Sequence, residues 1–383
     1  MGNFLFAKSR ARARSLKIDA EMLKEFKESC VGIKVLVLGT ANTGKSTIIK
    51  QLRILYGEPY TRKELETYKR LVHSNALSFM TQLYELAIEE GDGILSEKDE
   101  NGVYCLSPAA EIDEETAQLL SRLWIDPGIQ QAYLDRAKRQ IPESAEYFIT
   151  KAHEFAHEDY LPTVEDILQI RIPTKKLVTK KIDIDGTDFT FFDLSAQENK
   201  RKKWLYKFKD VQVILFVAGL GDFDVISSQD PTRNKLELSI ELFKEAIETD
   251  EFKDKTVILL LNKMDVLKEK IRQSIDPAHV HDPLGKKPWV NYKSDKDHSY
   301  LKAQKYFLER FKTCHTRPKQ PIVHCTCGLE SKSIDEVFRG LEGAIINDYM
   351  KQSIFASMKV SASAQDKMSK FKRAGMKAAL NKK

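Results

Sequence analysis

The chain has 383 residues, 42% of them apolar, and a formal net charge of +6 at pH 7. That length suits two domains, or one domain with a large insertion, and the modest charge gives no reason to expect a nucleic-acid partner. No apolar run approaches the roughly 18 residues of a membrane span and no signal sequence opens the chain, so a membrane-crossing or secreted protein is not expected. An odd number of scattered cysteines indicates reduced thiols in the cytosol: Cys30, Cys105, Cys314, Cys325 and Cys327.

The first 30 residues combine basic side chains with a helical apolar pattern. They predict an exposed basic helix that leads into the first strand. Such a helix is either simply solvated or meets an anionic membrane or a partner. Gly2 invites N-myristoylation, but Phe6 stands where that motif requires Ser or Thr, so lipidation stays open.

Residues 35–38 form an all-apolar run, which is typical of a strand buried on both faces. The run ends at Gly39, and a helical pattern resumes after Lys45. The spacing G-x-x-x-x-G-K-S between them is that of a phosphate-binding loop, in which glycines let the backbone approach a phosphate. The lysine would reach the outer phosphates, and the Ser46 hydroxyl would bind Mg²⁺. The predicted phosphate site comprises Gly39, Thr40, Ala41, Asn42, Thr43, Gly44, Lys45, Ser46 and Thr47.

The pattern changes between residues 58 and 170, where long amphipathic stretches separated by turn signals replace the strands. This pattern predicts an all-helical module inserted after the phosphate loop. Its expected helices cover residues 63–90, 113–124, 128–138, 144–155 and 164–169.

After residue 171 the sequence again alternates between strands and helices. Residues 177–184 and 187–193 predict a hairpin that turns at Asp185-Gly186. Further strands are expected at 211–218, 256–262 and 321–325, and helices at 232–249, 301–314 and 334 to about 351. Short buried strands that alternate with helices predict a doubly wound α/β sheet, with ligands at the carboxyl ends of the strands.

The ends of these strands carry polar residues suited to a guanine nucleotide. Residues 262–265 read N-K-M-D after a buried strand. The Asp265 carboxylate can accept two hydrogen bonds from a guanine ring, a pair that adenine cannot offer. Asn262 would tie this loop to the phosphate loop, and the Lys263 stem would lie over the base. After the next strand, Cys327 and Gly328 could offer a backbone N–H to the guanine oxygen.

Together these features resemble the α subunits of heterotrimeric G proteins, from about residue 30 to residue 356. The helical insertion is diagnostic of that family, and specific stretches of the resemblance include L-P-T-V-E-D-I-L-Q-I-R-I-P-T (161–174), R-K-K-W (201–204) and N-K-M-D. The resemblance implies that Arg171 stabilises charge on the transferring phosphoryl group and that Gln197 orients the attacking water. It implies Thr174 as a second Mg²⁺ ligand and Asp193 as a ligand through water. It also implies nucleotide contacts by Leu168 and Ala196.

The resemblance further implies a GTP/GDP switch with slow GTP hydrolysis, bound Mg²⁺ and a peripheral place on the inner face of the plasma membrane. Its partners would be a seven-helix receptor, a βγ dimer and an effector. Residues 171–177 and 193–208 would be the switch segments, with Trp204 facing βγ or effectors. The implied organisation is an N-terminal helix (1–30), a P-loop GTPase domain in two parts (31–57 and 171–356), a helical insertion (58–170) and a basic extension (357–383).

Several residues depart from the family pattern. Asn42 stands where the family has an acid that pairs with the arginine, so the clamp across the nucleotide is expected to be weaker. Ala41 replaces a loop glycine, and Pro173 replaces a usual lysine. Two glycines of D-x-G-G-Q become Ser195 and Ala196. The alternative is therefore a nucleotide-bound binding module that holds βγ or a receptor with impaired hydrolysis or switching.

The extension of residues 357–383 interleaves basic and apolar side chains and contains a single acid, Asp366. It predicts either a disordered solvated tail or a helix that favours anionic membrane surfaces. Because the family's C-terminus ordinarily meets the receptor, an extension here puts that contact in doubt.

Overall fold

The computed structural model describes residues 32–90, 103, 106–172, 177–194, 208–227, 230–273, 275, 277–281, 286–293, 299–314, 319–341 and 343. Residues 34–336 form one compact unit, and the described residues outside that range belong to a second. The predictions for residues 1–30, the parts of the two switch segments at 173–176 and 195–207, and the extension at 357–383 lie outside the described residues.

One six-stranded sheet organises the fold, in the order β2-β3-β1-β4-β5-β6. The central strands β4 and β5 are buried along their whole length, as expected for strands covered on both faces. β1, β4, β5 and β6 pair in parallel, and β2 pairs antiparallel with β3. The strand bounds are β1 (Ile33–Leu38), β2 (Val178–Ile184), β3 (Thr187–Asp193), β4 (Val213–Gly219), β5 (Thr256–Asn262) and β6 (Ile322–Cys325).

The chain order reverses direction across the sheet at β1. After β1 the chain supplies β2 and β3 on one side, and then β4, β5 and β6 on the other. Ligands of such sheets bind outside the carboxyl ends of the strands at this reversal. The loop that leaves β1 is therefore placed where a ligand is expected.

The predicted hairpin between β2 and β3 is confirmed. Asp185 and Gly186 both have positive φ, 50° and 82°, which makes a type I′ turn that matches the twist of the strands. The Gly186 N–H donates to the Asp183 carboxylate at 2.9 Å. The turn fixes the register, in which Ile184 faces Thr187 and Val178 faces Asp193.

A second group of helices lies between the first helix after β1 and strand β2. Within its described part, residues 62–90 and 106–172, the segment contains helices and turns and no strand. The long second helix begins one residue before the predicted start. The bounds are α1 (Lys45–Tyr56), α2 (Arg62–Glu90), α3 (Glu114–Trp124), α4 (Pro127–Leu134), α5 (Ser144–Thr150), α6 (Ala152–Phe155) and α7 (Val164–Gln169).

Two of the predicted helices in this segment are wrong in extent. The stretch 128–138 is α4 followed by a 3-10 turn, Arg136–Arg139, that ends at Gln140 in a left-handed conformation. The stretch 144–155 is interrupted at Lys151. Beside this break the Thr150 hydroxyl donates back to the Glu146 carbonyl at 2.8 Å. Periodicity alone does not register such breaks, because the apolar face continues through them.

These helices share a hydrophobic cluster of their own. Phe148 lies between Phe79 and Phe155, with ring centroids 6.0 and 6.2 Å away. His73 is also buried within α2, where its Nδ1 accepts the Ile112 N–H at 2.8 Å. The accepting nitrogen must be unprotonated, so the histidine is held neutral. Burial lowers its pKa, and the charge of Lys69 lowers it further.

We expect the unfolding free energy of the full chain to fall as the pH drops below about 6.5, the ordinary pKa of histidine. Below that pH the unfolded chain takes up a proton at His73 that the folded chain, with its lowered pKa, does not. Urea unfolding at pH 7.5 and pH 5.5 measures the difference. His73→Gln keeps an acceptor and should reduce the loss, whereas the exposed control His157→Gln should not. Equal pH dependence in the parent and His73→Gln would contradict the assignment.

In the described part of the chain after β4, the sheet is covered by α8 (Lys235–Glu248), α9 (Met264–Arg272) and α10 (Tyr300–Thr313). α8 begins three residues later than predicted, because the Asn234 side chain accepts from the N–H groups of Leu236 and Glu237 and caps the helix. Phe243 of α8 packs against Phe216 of β4 at 5.1 Å between ring centroids. α9 is missing from the sequence prediction, which treats residues 262–265 as a loop.

A further helical segment covers residues 331–341. This helix therefore begins three residues before its predicted start at residue 334. Its expected continuation from 344 to 351 lies outside the described residues. None of the helices in the described ranges combines the length and apolarity that crossing a membrane requires.

Candidate functional site

A cleft of about 770 Å³ opens at the carboxyl ends of the strands. It brings together five stretches that are far apart in the chain: the loop after β1, residues 142–150, residues 168–172, the start of α9 and the loop after β6. The lining residues that sequence analysis predicts are Ala41, Asn42, Gly44, Lys45, Ser46, Thr47, Leu168, Arg171, Asn262, Lys263, Asp265 and Gly328.

The loop after β1 needs glycine at both of its predicted glycine positions. Gly39 has φ +143°, and a Cβ there would lie 2.2 Å from the Val217 carbonyl oxygen. Gly44 has φ +97°, and a Cβ there would lie 2.2 Å from Asn262 Nδ2. Side chains rarely adopt such backbone angles, so both the conformation and the space require glycine. Asn42 also has positive φ, 62°, which asparagine tolerates better than most residues.

The Lys45 side chain turns back over this loop. Its Nζ donates to the carbonyls of Thr40 and Gly39, at 2.7 and 3.1 Å, although Lys45 begins helix α1. The Thr43 hydroxyl also donates to the Thr40 carbonyl, at 3.1 Å. The ammonium is therefore buried inside the loop, beside the positive N-terminus of α1, a combination that favours anions.

Asn262 joins this loop to the end of β5. Its Nδ2 donates to the Thr43 carbonyl at 2.9 Å, and its Oδ1 accepts from the Thr326 hydroxyl at 3.1 Å. Asn262 is buried, so both bonds stabilise an amide that water cannot reach. The predicted tie between the two loops is confirmed, and it extends to the loop after β6.

Asp265 lies in the first turn of α9, and not on a loop as predicted. Lys263 immediately before the helix adopts a left-handed conformation, φ 62°. Its Nζ forms ion pairs with Asp222 at 3.1 Å and Glu143 at 3.5 Å. Burial opposes the charge of Glu143, but the lysine charges outweigh burial and lower the pKa of Glu143 to about 2. The side chain of Lys263 is thereby held at one wall of the cleft.

Gly328 lines the cleft, whereas Cys327 does not. The Cys327 N–H donates to the Ser333 hydroxyl at 3.2 Å, so this N–H is engaged within the protein. Burial raises the pKa of the Cys327 thiol to about 11, with a further contribution from the charge of Asp265. The Cys327 thiol is accordingly neutral near pH 7 and lies close to the start of α9.

Ser46 and Asp193 bring two oxygen-bearing side chains together beside the phosphate loop. The Ser46 hydroxyl donates to Asp193 Oδ2 at 2.8 Å, and Oδ1 of this buried carboxylate has no hydrogen-bond partner. Burial raises the pKa of Asp193, although Lys45 and Ser46 oppose the shift. An unpartnered carboxylate oxygen beside a hydroxyl fits the hard-oxygen chemistry of Mg²⁺. Among the described residues no three His, Cys, Asp or Glu side chains form a metal cluster.

Arg171 follows α7 and lines the cleft. Its Nη1 donates to the Gln140 carbonyl at 3.2 Å, on the 3-10 turn after α4. Burial lowers the pKa of Arg171, against the raising effect of the charges of Glu143 and Asp222. The guanidinium is therefore partly desolvated, where a charge interacts more strongly than it does in water.

The start of α7 is fixed by a buried carboxylate. Asp166 accepts from the hydroxyls of Tyr147 and Tyr160, at 2.7 and 3.0 Å, and from the Thr163 N–H at 2.7 Å. These bonds outweigh burial and lower the pKa of Asp166. They join α5, which lines the cleft, to the helix that leads to Arg171.

Sequence analysis does not single out Glu143, Tyr147 or Gln140. Each lies on or beside an amphipathic helix, where a polar side chain ordinarily faces solvent, so their spacing carries no signal. They become site residues only because the helices place them against the strand ends. The predicted site residues Thr174, Ala196 and Gln197 lie outside the described residues.

The family model for the G-protein alpha subunit matches residues 12–345 of this chain, far more than half of its length. Members of this family bind GTP or GDP together with Mg²⁺, are generally GTPases, and work with partners such as βγ dimers and receptors. The match covers the loop after β1, the helices of residues 62–172 and the strand-end motifs described above. The chain belongs to the G-protein alpha subunit family and is a guanine-nucleotide-binding α subunit.

Proposed function

We propose that the cleft binds GTP and GDP and that the chain is a switch that hydrolyses GTP slowly. The observation that carries this proposal is the bridge made by Asn262, which joins the phosphate loop to the base-recognition segment across one cleft. Through that bridge, the loop that binds the phosphates and the segment that binds the base form one hydrogen-bonded unit. The helices of residues 62–172 act in this proposal as the inserted domain that covers the nucleotide.

Base recognition falls to the start of α9. The Asp265 carboxylate accepts from the guanine ring N–H and the exocyclic amine. Lys263, held by Asp222 and Glu143, places its aliphatic stem against the base, and Gly328 offers the base a close approach of backbone.

The phosphates lie in the loop after β1, where Lys45 and the N-terminus of α1 supply positive charge. Ser46 and Asp193 would hold Mg²⁺, Asp193 through water, and by family resemblance Thr174 would add a further ligand. The ion supplies charge neutralisation on the phosphate oxygens when it is bound. Arg171 stabilises charge on the transferring phosphoryl group, while Gln197 orients the attacking water.

In the cell we propose that this α subunit relays signals from a seven-helix receptor to an effector and binds βγ in its GDP form. Its place is the cytoplasmic face of the plasma membrane, which the basic segments at 1–30 and 357–383 favour. Purifying the chain, identifying its bound nucleotide and following tryptophan fluorescence with a non-hydrolysable GTP analogue tests the switch directly. Absence of bound guanine nucleotide together with no fluorescence change would contradict it.

A second candidate is a binding module that keeps its nucleotide but switches poorly. One observation favours it: the guanidinium of Arg171 contacts the Gln140 carbonyl, and Asn42 supplies no charge to draw it toward the phosphate loop. Ser195 and Ala196 point the same way, because a Cβ at 196 penalises backbone angles that glycine allows. The tryptophan fluorescence change on adding the GTP analogue, compared between Ala196→Gly and the parent, decides between the candidates. The switch requires a full change in the parent already, whereas the binding module requires that glycine increase it.

We expect Asp265→Asn to weaken GDP affinity by about 1–3 kcal/mol, because a charged hydrogen bond is lost and an amide donor faces a ring donor. Competition of fluorescent GDP by unlabelled nucleotides measures the change. Glu269→Gln, an exposed position on the same helix that pairs with Arg272, serves as the matched control and should bind as the parent does. Equal affinity of the parent for ATP and GTP would refute the assignment of guanine specificity.

A further inference from the structure

We propose that Asn75, on the long helix α2, is the positioning residue for Arg171. The inference rests on the proposed hydrolysis of GTP and assigns to the buried helix a part in that reaction. Asn75 itself does not line the cleft. It acts through the main chain of the arginine, which does line the cleft.

The Asn75 side chain holds both main-chain groups of Arg171. The Arg171 N–H donates to Asn75 Oδ1 at 2.8 Å, and Asn75 Nδ2 donates to the Arg171 carbonyl at 3.2 Å. The amide thus makes both of the hydrogen bonds that a neighbouring strand would make to a main chain. It makes them to Arg171, which follows the end of α7. Asn75 is only 8% exposed, so an amide that lost these contacts would lose hydrogen bonds that water cannot readily restore.

A second helix holds the residue before the arginine. Lys50 of α1 donates to the carbonyl of Ile170 at 3.0 Å and to that of Ile167 at 2.8 Å. α1 is the helix that begins at the phosphate loop. The main chain at 170–171 is therefore attached both to the phosphate-loop helix and to the long helix of the helical segment.

The guanidinium has its own restraint on the opposite side. Its Nη1 donates to the Gln140 carbonyl, and Gln140 is itself fixed by a left-handed backbone, φ 55°, and by its Nε2 donating to the Ile226 carbonyl at 2.9 Å. The Asn75 contacts fix the main chain from which this side chain extends, so they limit the positions that the guanidinium can reach when it leaves Gln140. Placement matters for a group that stabilises transition-state charge, because about 1 Å of misplacement can cost on the order of 100-fold in rate.

Asparagine suits this position for a geometric reason. Its amide carries one acceptor and a donor at fixed separation, so it can satisfy the N–H and the carbonyl of the same residue. Alanine removes both bonds and keeps the helix, because it has the highest helix propensity. Aspartate keeps the acceptor alone and brings an oxygen against the Arg171 carbonyl.

The experiment is a double-mutant cycle on the full chain between Asn75→Ala and Arg171→Ala. Single-turnover GTP hydrolysis, followed over long time courses, gives the rate constant kcat. Titration with a fluorescent non-hydrolysable GTP analogue gives the Kd of the analogue. We expect Asn75→Ala to lower kcat on the order of 10- to 100-fold with little change in Kd, and to lower it no further once Arg171 is alanine. Ser74→Ala, the neighbouring position on α2, is the control and should match the parent. Asn75→Ser is the second variant if the alanine variant fails to fold.

The outcomes separate this inference from the function on which it rests. One contradicting result is that Asn75→Ala lowers kcat equally in both backgrounds, and another is that it weakens analogue binding with kcat unchanged. Either result would mean that Asn75 only stabilises the fold, and the positioning role would be wrong. Unaltered kcat in both Asn75 variants would also overturn it while hydrolysis itself stood. A parent that binds the analogue but does not hydrolyse GTP would overturn both.

Discussion

Replacing Arg171 by alanine is expected to slow GTP hydrolysis on the order of 10³-fold, the lower end of what an arginine of this kind contributes. The reason is electrostatic, since the guanidinium lies in a partly desolvated cleft beside the phosphate loop. GTP-analogue affinity should change far less than the rate, because the charge that the arginine stabilises develops in the transition state. Phosphate release in single-turnover assays measures the effect.

Arg139→Ala is the matched control for this prediction. Arg139 lines a smaller cavity together with Arg171 and pairs with Glu89 at the surface, but it does not line the large cleft. Its variant should hydrolyse GTP at the parent rate. A loss of similar size in both variants would show that net positive charge in the neighbourhood matters and that the Arg171 guanidinium has no specific role.

Replacing Gly44 by alanine is expected to weaken GDP binding by about 3 kcal/mol, roughly 100-fold, the sum of backbone strain and a displaced buried hydrogen bond. The strain comes from φ +97°, and the displacement from a Cβ placed 2.2 Å from Asn262 Nδ2. Because that nitrogen donates to the Thr43 carbonyl, the alanine would break the bridge between the phosphate loop and β5. Fluorescent GDP titration gives the affinity.

Gly186→Ala separates the two contributions. Gly186 has a similar positive φ, 82°, but an added Cβ would meet nothing within 4 Å. This variant should lose about 1 kcal/mol of unfolding free energy from strain and keep its affinity for GDP. If Gly44→Ala bound GDP as tightly as Gly186→Ala does, the Asn262 bridge would not be needed for nucleotide binding.

The sequence alone predicts the strands and the two loops, at the phosphate end and the base end, that bound the site. β4 and β5 are continuous apolar runs because they are covered on both faces, and the hairpin turn at Asp185-Gly186 is coded by two residues that tolerate positive φ. The phosphate loop and the N-K-M-D stretch follow such strands, so parallel pairing must bring them to one edge. The tie through Asn262 followed from that arrangement.

The ends of the helices are harder to predict from the sequence, because local hydrogen bonds determine where a helix begins and ends. The Asn234 cap delays α8, and the helical stretch before α6 breaks at Lys151, while the apolar period runs on unchanged. α9 was missed because the motif at its start suggested a loop, although Asp265 lies in its first turn.

By itself, the sequence determined which residue types stand at the strand ends: a phosphate-loop motif, the Asp265 carboxylate and the oxygen-bearing side chains of Ser46 and Asp193. These depend on residue type and short spacing, which the chain order fixes. Only the tertiary structure decided which residues of the helical segment face that chemistry. Asn75 is nearly 100 positions from Arg171, and a polar side chain on an amphipathic helix gives no sign of its partner. Packing of α2 against the segment after α7 makes that pair, because a buried amide is stable only where both of its hydrogen-bonding ends are met.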